Sequence, residues 1–366
     1  MTRRVVSVAL PVALVVLLAF VPRISADIPK VFNGPINSQG TLQLLATCLI
    51  FGGLALTYDL LFGFTGLLSF GHALYFALGV YLPATAMTKW GWGFWPSLAV
   101  TAAFGLLLPL VVGAVSLRVT GIAFAMVTLA FAQVGAVLAI KNPHGWTGGE
   151  EGFGTDYTKL PATFVGVLNT KHVYWLALAY AVVVFVLVRW AVQSSPGRVW
   201  QAVRENELRV EVLGLRPQGF KLMAFVLASF LATAGGAIYL VAGILSGPNP
   251  SVTSPEVTLT LLIMVVLGGA GTRWGAVLGG VLYKYFEDRL GAIGNSSTVH
   301  DLPGVLRTPL SEPRFLLGAL FILLVFFLPG GVARVRLGAR RAGLGRLEQA
   351  VSAPAAPVGG IEEATQ

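Results

Sequence analysis

Charge is scarce in this sequence. Asp, Glu, Lys and Arg together make up 11% of 366 residues, where a soluble domain carries roughly 25%. A chain so poor in charge cannot cover its apolar surface in water, which excludes an ordinary soluble fold. Cysteine occurs once, as Cys48, so no intrachain disulfide can form. In its apolar run that thiol reads as a small core residue. Histidine is limited to His72, His144, His172 and His300, and no two are spaced to share a metal on one helix. No metal site is expected. H-E-x-x-H and G-x-S-x-G are absent, and the dipeptide Gly-Lys never occurs, which excludes a P-loop. The chain is therefore not expected to be an enzyme, and any ATP it uses must be hydrolysed by another chain.

What is abundant is apolar: 55% of residues are hydrophobic and mean hydropathy is +0.78. Ten apolar segments can be marked, at 5–22, 42–62, 70–88, 94–117, 120–140, 173–192, 221–244, 257–270, 275–290 and 314–329. The expected fold is an all-α polytopic membrane protein with about ten transmembrane helices. The eighth and ninth segments are short, and read as tilted, broken or re-entrant. Arg3 and Arg4 ahead of 5–22 would also suit a cleavable signal peptide with a weak site at 24–26. The length of the run favours an uncleaved first span.

The net charge is +9, but its placement argues against nucleic acid, because no basic and aromatic residues interleave on a soluble face. Basic residues cluster instead at 189–221 and at 334–346, flanking apolar runs. An N-in, C-in topology puts 15 of the Lys and Arg residues inside and 10 outside, the bias of cytoplasmic loops. The exterior loop 141–172 is glycine-rich and acidic around Gly148–Gly154, and suits either a cover over a transport mouth or a plain solvated connection. The tail 331–366 is basic, then rich in Ala, Pro and Gly. It is expected to be disordered, with its arginines against anionic lipid headgroups.

Polar residues inside apolar runs are the natural functional candidates. Asp59 closes the second run, as a transport-path residue or as a cap on neighbouring backbone. Gln133 in the fifth suits an interhelical hydrogen bond or a substrate contact. The stretch GFTGLLSFGHALYFALGVY (63–81) places Gly63, Gly66, Ser69, Gly71 and His72 where a plain helix would not want them. It reads as a bend between the second and third spans, with Ser69 and His72 as its polar side chains. A weak echo of it, GGAGTRWGAVLGG, occurs at 268–280. An ion-coupled carrier would want a longer chain of buried ionisable groups than Asp59, His72, Glu287 and Asp288 provide.

The segment 193–219 is the most informative soluble piece. Ser195 suits a helix cap, Pro196 a first turn, and Val199, Trp200 and Val203 one buried face. Asn206 suits the end of one short helix and the cap of a second over 207–213, with Gly214 and Pro217 stopping it. The resulting element lies across the cytoplasmic face, either in the lipid interface or in a groove on a partner protein. Glu205, Glu207 and Glu211 disfavour anionic lipid and favour the partner.

Four stretches in order, GFTGLLSFGHALYFALGVY, LRVTGIAFAMVTLAFAQ (117–133), SPGRVWQAVRENELRVEVLGL (195–215) and NPSVTSPEVTLTLLIMVVLGGAGTRWGAVLGG (249–280), resemble permease subunits of bacterial branched-chain amino acid ABC importers of the LivM type. The related urea permeases share the LLS-GH motif. The resemblance spans about 40–330. It implies a type II importer-like permease that pairs with a second permease subunit, two cytoplasmic ATPase subunits and an extracytoplasmic substrate-binding protein, in the inner membrane. It implies no cofactor in this chain, with ATP and Mg on the partner ATPases. The polar and glycine residues inside apolar runs put the translocation path or hinge at Asp59, Gly63, Gly66, Ser69, Gly71, His72 and Gln133. ATPase coupling would fall on Arg198, Trp200, Arg204, Glu205, Asn206, Glu207 and Gly214. Branched-chain or related amino acids are the implied cargo, with urea or short amides as the alternative.

Overall fold

The computed structural model describes residues 13–24, 34–166, 169–243, 247–294, 312–327 and 330–333. Among them no β-strand forms. The tail from 334 and most of the expected loop 291–313 lie outside the described residues.

Each of the ten apolar segments carries a helix: α1 (Ala13–Arg23), α2 (Gln39–Asp59), α3 (His72–Thr88), α4 (Phe94–Ser116), α5 (Ile122–Lys141), α6 (Thr170–Gln193), α9 (Pro217–Val241), α10 (Pro255–Gly268), α11 (Arg273–Gly294) and α12 (Pro313–Phe327). Five helices among the described residues, α2 with its continuation and α4, α5, α6 and α9, are long and apolar enough to cross a membrane. The eighth segment is short as expected, at 14 residues. The ninth is not: its helix runs 22 residues. It begins two residues before the apolar segment and runs four beyond it, and inside it Lys284 and Glu287 pair at 2.5 Å one turn apart.

α2 is the central helix and is buried along nearly all of its length, with α6, α9, α10 and α11 packed around it. α3 and α4 pack against α9. The outer faces of α4 and α5 present Leu107, Val111, Met126 and Val134, exposed apolar side chains suited to lipid. Exposed tryptophans gather at both ends of the bundle: Trp92, Trp95 and Trp146 at one, Trp190 and Trp274 at the other. Such belts mark the two membrane–water interfaces.

The loop 142–166 does not extend freely. It docks across the end of the bundle that holds the close of α3. Asp156 N–H donates to Thr88 Oγ1 at 3.0 Å, Lys159 Nζ to the Met87 carbonyl at 2.7 Å, and Phe153 N–H to the Pro248 carbonyl at 3.2 Å. At the opposite end, α6 breaks at Ser194 into two short helices, α7 (Ser195–Glu205) and α8 (Glu207–Val212). The cap is Ser194 rather than Ser195. Its backbone is already extended, its Oγ donates to the Ala191 carbonyl at 2.6 Å, and the same oxygen accepts from Gly197 N–H at 3.4 Å. One serine thus closes α6 and opens α7.

Candidate functional site: a buried bend under the surface helices

The end of α2 does not terminate cleanly. It widens into a π-helical turn over Leu60–Thr65, and Gly66 then takes φ +78°, a left-handed conformation that favours glycine. The chain runs irregularly to Gly71, the residue before α3. Irregular backbone at this depth needs hydrogen-bond partners from protein, and two threonines on other helices provide them. Thr128 Oγ1 on α5 accepts from Phe70 N–H at 3.1 Å, and Thr258 Oγ1 on α10 accepts from Ala73 N–H at 2.9 Å. Ser69 is fully buried and its Oγ accepts from Gly71 N–H at 3.2 Å.

His72 opens α3 and is fully buried. Its Nε2 lies 2.9 Å from Thr57 Oγ1, and the Thr57 hydroxyl donates to the Leu54 carbonyl at 2.7 Å. A hydroxyl has one proton, so when Thr57 gives it to the Leu54 carbonyl the ring is the donor of the contact with His72. Tyr58 stands edge-on to the ring at 5.4 Å. His72 therefore ties α3 to α2 across the bend.

Asp59 is also fully buried. Its Oδ1 accepts from Gly271 N–H at 2.8 Å, which joins the end of α2 to the turn 269–272 between α10 and α11. Gly63 sits at this crossing. A Cβ there would lie 1.9 Å from Asp59 Oδ1 and 2.3 Å from Gly271 N, so any side chain at 63 displaces that hydrogen bond.

The surface helices reach this point directly. Arg204, on α7, donates from Nη1 to the Gly63 carbonyl. A Cβ at Gly271 would lie 2.9 Å from the same Nη1, and a Cβ at Gly66 3.1 Å from Arg204 Cγ. The guanidinium is thus set between the bend and the turn 269–272. Trp200 is buried and donates from Nε1 to the Phe220 carbonyl at 2.7 Å. Glu207 pairs at 2.5 Å with Lys221 on α9, a lysine only 7% exposed. Asn206 caps α8, its Oδ1 accepting from Arg209 N–H at 3.1 Å, and Gly214 follows with φ +81°.

Of the residues expected to form the path, Asp59, Gly63, Gly66, Ser69, Gly71 and His72 come together in this bend. Gln133 does not: it is exposed on the outward face of α5. Of those expected to couple, Arg204 meets the bend, Trp200, Asn206 and Glu207 hold α7 and α8 in place, and Arg198, Glu205 and Gly214 are exposed. Sequence reasoning missed Thr57, Thr128, Thr258 and Gly271. The threonines carried a faint signal as hydroxyls in apolar runs. Such hydroxyls ordinarily bond back along their own helix. Among the described residues no group of three His, Cys, Asp or Glu side chains is placed to hold a metal.

Residues 40–325 match the family described as "Branched-chain amino acid transport system / permease component". The chain belongs to this family. The matched span contains the bend, α7, α8 and the turn 269–272. Among relatives, the high-affinity branched-chain amino acid transport system permease protein LivM of Escherichia coli is 28% identical over 267 residues, 67% of this chain and 62% of the relative. The protein of the same description in Salmonella typhimurium is 30% identical over 271 residues, with the same coverage of 67% and 62%. A probable branched-chain amino acid transport permease protein LivM of Methanocaldococcus jannaschii is 25% identical over 158 residues, 43% of this chain and 45% of the relative. The match thus spans 62% of the length of the two bacterial relatives. No solved structure matches the chain significantly. Membership makes this a multi-pass membrane permease, in keeping with its apolar helices.

Proposed function

We propose that the chain is the membrane-embedded permease of an ATP-driven importer that moves branched-chain or related amino acids across the inner membrane. About ten spans, with both termini on the cytoplasmic side, put the bend, α7 and α8 on the inside and the docked loop 142–166 outside. A second permease subunit would complete the path, two ATPase subunits carrying ATP and Mg would act from the cytoplasm, and an extracytoplasmic binding protein would deliver cargo. The observation that carries this reading is the Arg204 contact with the Gly63 carbonyl, which joins a surface helix to a buried bend.

The mechanism follows from that contact. Closure of the ATPase pair displaces α7 and α8. Arg204 transmits the displacement to Gly63, and Asp59 passes it to the turn 269–272 through Gly271. Two arrangements of α2, α3, α10 and α11 then exchange as inward- and outward-facing forms. ATP drives the exchange only through different affinity for the two forms.

The ATPase contact on this reading is the apolar tip of α8, where Leu208 is 71%, Val212 87% and Leu213 78% exposed. Such side chains at a water-facing end indicate a protein partner. Leu208, Val212 and Leu213 are therefore replaced together by serine and the ATPase subunits are co-purified with the permease. Loss of the ATPases from a permease of unchanged melting temperature is the expected result. Full retention contradicts the assignment.

A further inference from the structure

A second feature lies away from the bend, where the close of α6 meets the start of α11. The Phe185 and Trp274 rings touch there, with centroids 4.4 Å apart. Arg189 follows Phe185 by one turn, further toward α7 on the same face of α6. Arg273 immediately precedes Trp274 and opens α11. The ring contact therefore brings two arginines from different helices together, at the end of the bundle that holds α7 and α8.

The protein leaves this pair unbalanced. Neither arginine meets a carboxylate among the described residues. Arg273 is half-buried, and its Nη1 is enclosed without an acceptor. Arg189 is close enough to repel its charge. An unpaired, partly desolvated guanidinium is costly, and its side chain is long enough to turn the inner N–H outward to a partner. Two guanidinium forks from two helices suit a group with several anionic oxygens. A phosphate is the best fit, because an arginine takes two of its oxygens at once.

The surroundings point to the source of that phosphate. Trp190 and Trp274, 70% and 37% exposed, stand beside the pair at headgroup level. Val186 on α6 and Leu278 on α11, 56% and 44% exposed, continue from it into the membrane. A soluble anion makes no use of such an apolar stripe, whereas a phospholipid covers it with acyl chain. Two positive charges without a carboxylate also disfavour a headgroup that carries its own cation. We propose that Arg189 and Arg273 bind the phosphate of one anionic phospholipid across α6 and α11, with its acyl chains along Val186 and Leu278. The bound headgroup fixes the start of α11 two positions after Gly271, the partner of Asp59.

The test measures melting of the full chain in nanodiscs of phosphatidylcholine alone and of phosphatidylcholine with an equal part of phosphatidylglycerol. The anionic lipid should raise the melting temperature of the parent by at least about 3 °C, as a ligand of the folded state does. R189Q/R273Q should lose most of that gain. R209Q/R216Q, which removes two exposed arginines at the same end of the bundle, should keep it. In phosphatidylcholine alone, R189Q/R273Q should melt at or above the parent, because it removes a repulsion that nothing there relieves. A variant that unfolds or melts well below the parent in neutral lipid makes the arginines structural and overturns the site. A full gain in R189Q/R273Q or an equal loss in R209Q/R216Q does the same. So does no gain in the parent, the result expected if a carboxylate of another subunit covers the pair. Inorganic phosphate added to the neutral nanodiscs separates the two sources. A gain equal to that from phosphatidylglycerol assigns the site to a soluble anion and overturns the lipid; no gain supports it.

Discussion

Asp59 and Gly271 are 212 positions apart in the chain and share a 2.8 Å hydrogen bond, carboxylate oxygen to backbone N–H. Through it the end of α2 is fixed to the turn between α10 and α11, and Gly63 packs over the bond with no room for a side chain. Asp59→Ala leaves a buried N–H without its acceptor, at a cost of about 1–3 kcal/mol. Asp59→Asn keeps an acceptor and is expected to melt close to the parent. Thermal unfolding of the two purified variants checks the order; equal melting temperatures would remove the structural role of the carboxylate.

Gly63→Ala should reproduce the Asp59→Ala defect, because the new methyl would stand 1.9 Å from Oδ1. If the bond is what Gly63 protects, the two substitutions are non-additive, with the double variant losing little more than either single one. Additive losses in denaturation would show that Gly63 serves another contact.

His72→Ala and Thr57→Val each remove the tie between α3 and α2. A neutral buried hydrogen bond contributes about 1 kcal/mol; Thr57→Val strands the buried His72 Nε2, whereas His72→Ala leaves the Thr57 hydroxyl its bond to the Leu54 carbonyl. The double variant should therefore be no worse than His72→Ala alone. A double-mutant cycle on uptake and on melting checks this; independent effects would return His72 to some partner other than Thr57.

Asp156 lies in the docked loop, outside the spanning helices. The Thr158 hydroxyl, 2.6 Å from Oδ1, and then the Thr158 N–H hold its carboxyl below the ordinary carboxylate range. A depressed pKa in the folded loop means that the contribution is present above the unfolded value and is lost as pH falls through the folded one. Amide protection factors in residues 153–160, which compare the exchange rate with the intrinsic rate at each pH, should fall below the ordinary carboxylate range and be flat above it. Asp156→Asn should abolish that pH dependence; a loop whose protection tracks pH equally in the variant would exclude Asp156 as its source.

Much of this architecture is legible in sequence, because a membrane forces long apolar helices and makes every polar exception visible. Asp59 and His72 stand out for that reason, and Asn206, Gly214 and Pro217 announce short capped helices by local backbone preference. The partners are not legible. Nothing local to Asp59 points to Gly271, and nothing on α7 says that Arg204, rather than Glu205 or Arg198, turns toward the bend. Those pairings are set by how α10, α11 and α7 pack, which no residue period encodes. Glu207 reads in sequence as a partner contact, and its pairing with Lys221 is not legible there.

The central claim is that Arg204 carries motion from the surface helices to the bend. Arg204→Met keeps much of the side chain's length and loses its donors to the Gly63 carbonyl. The measurement is substrate uptake against ATP hydrolysis by the assembled importer in proteoliposomes. The account predicts that the variant retains its ATPase subunits and hydrolyses ATP, while uptake per ATP falls by at least about tenfold, the effect of roughly 1.4 kcal/mol lost from the coupled transition. Uptake per ATP equal to that of the parent would contradict it.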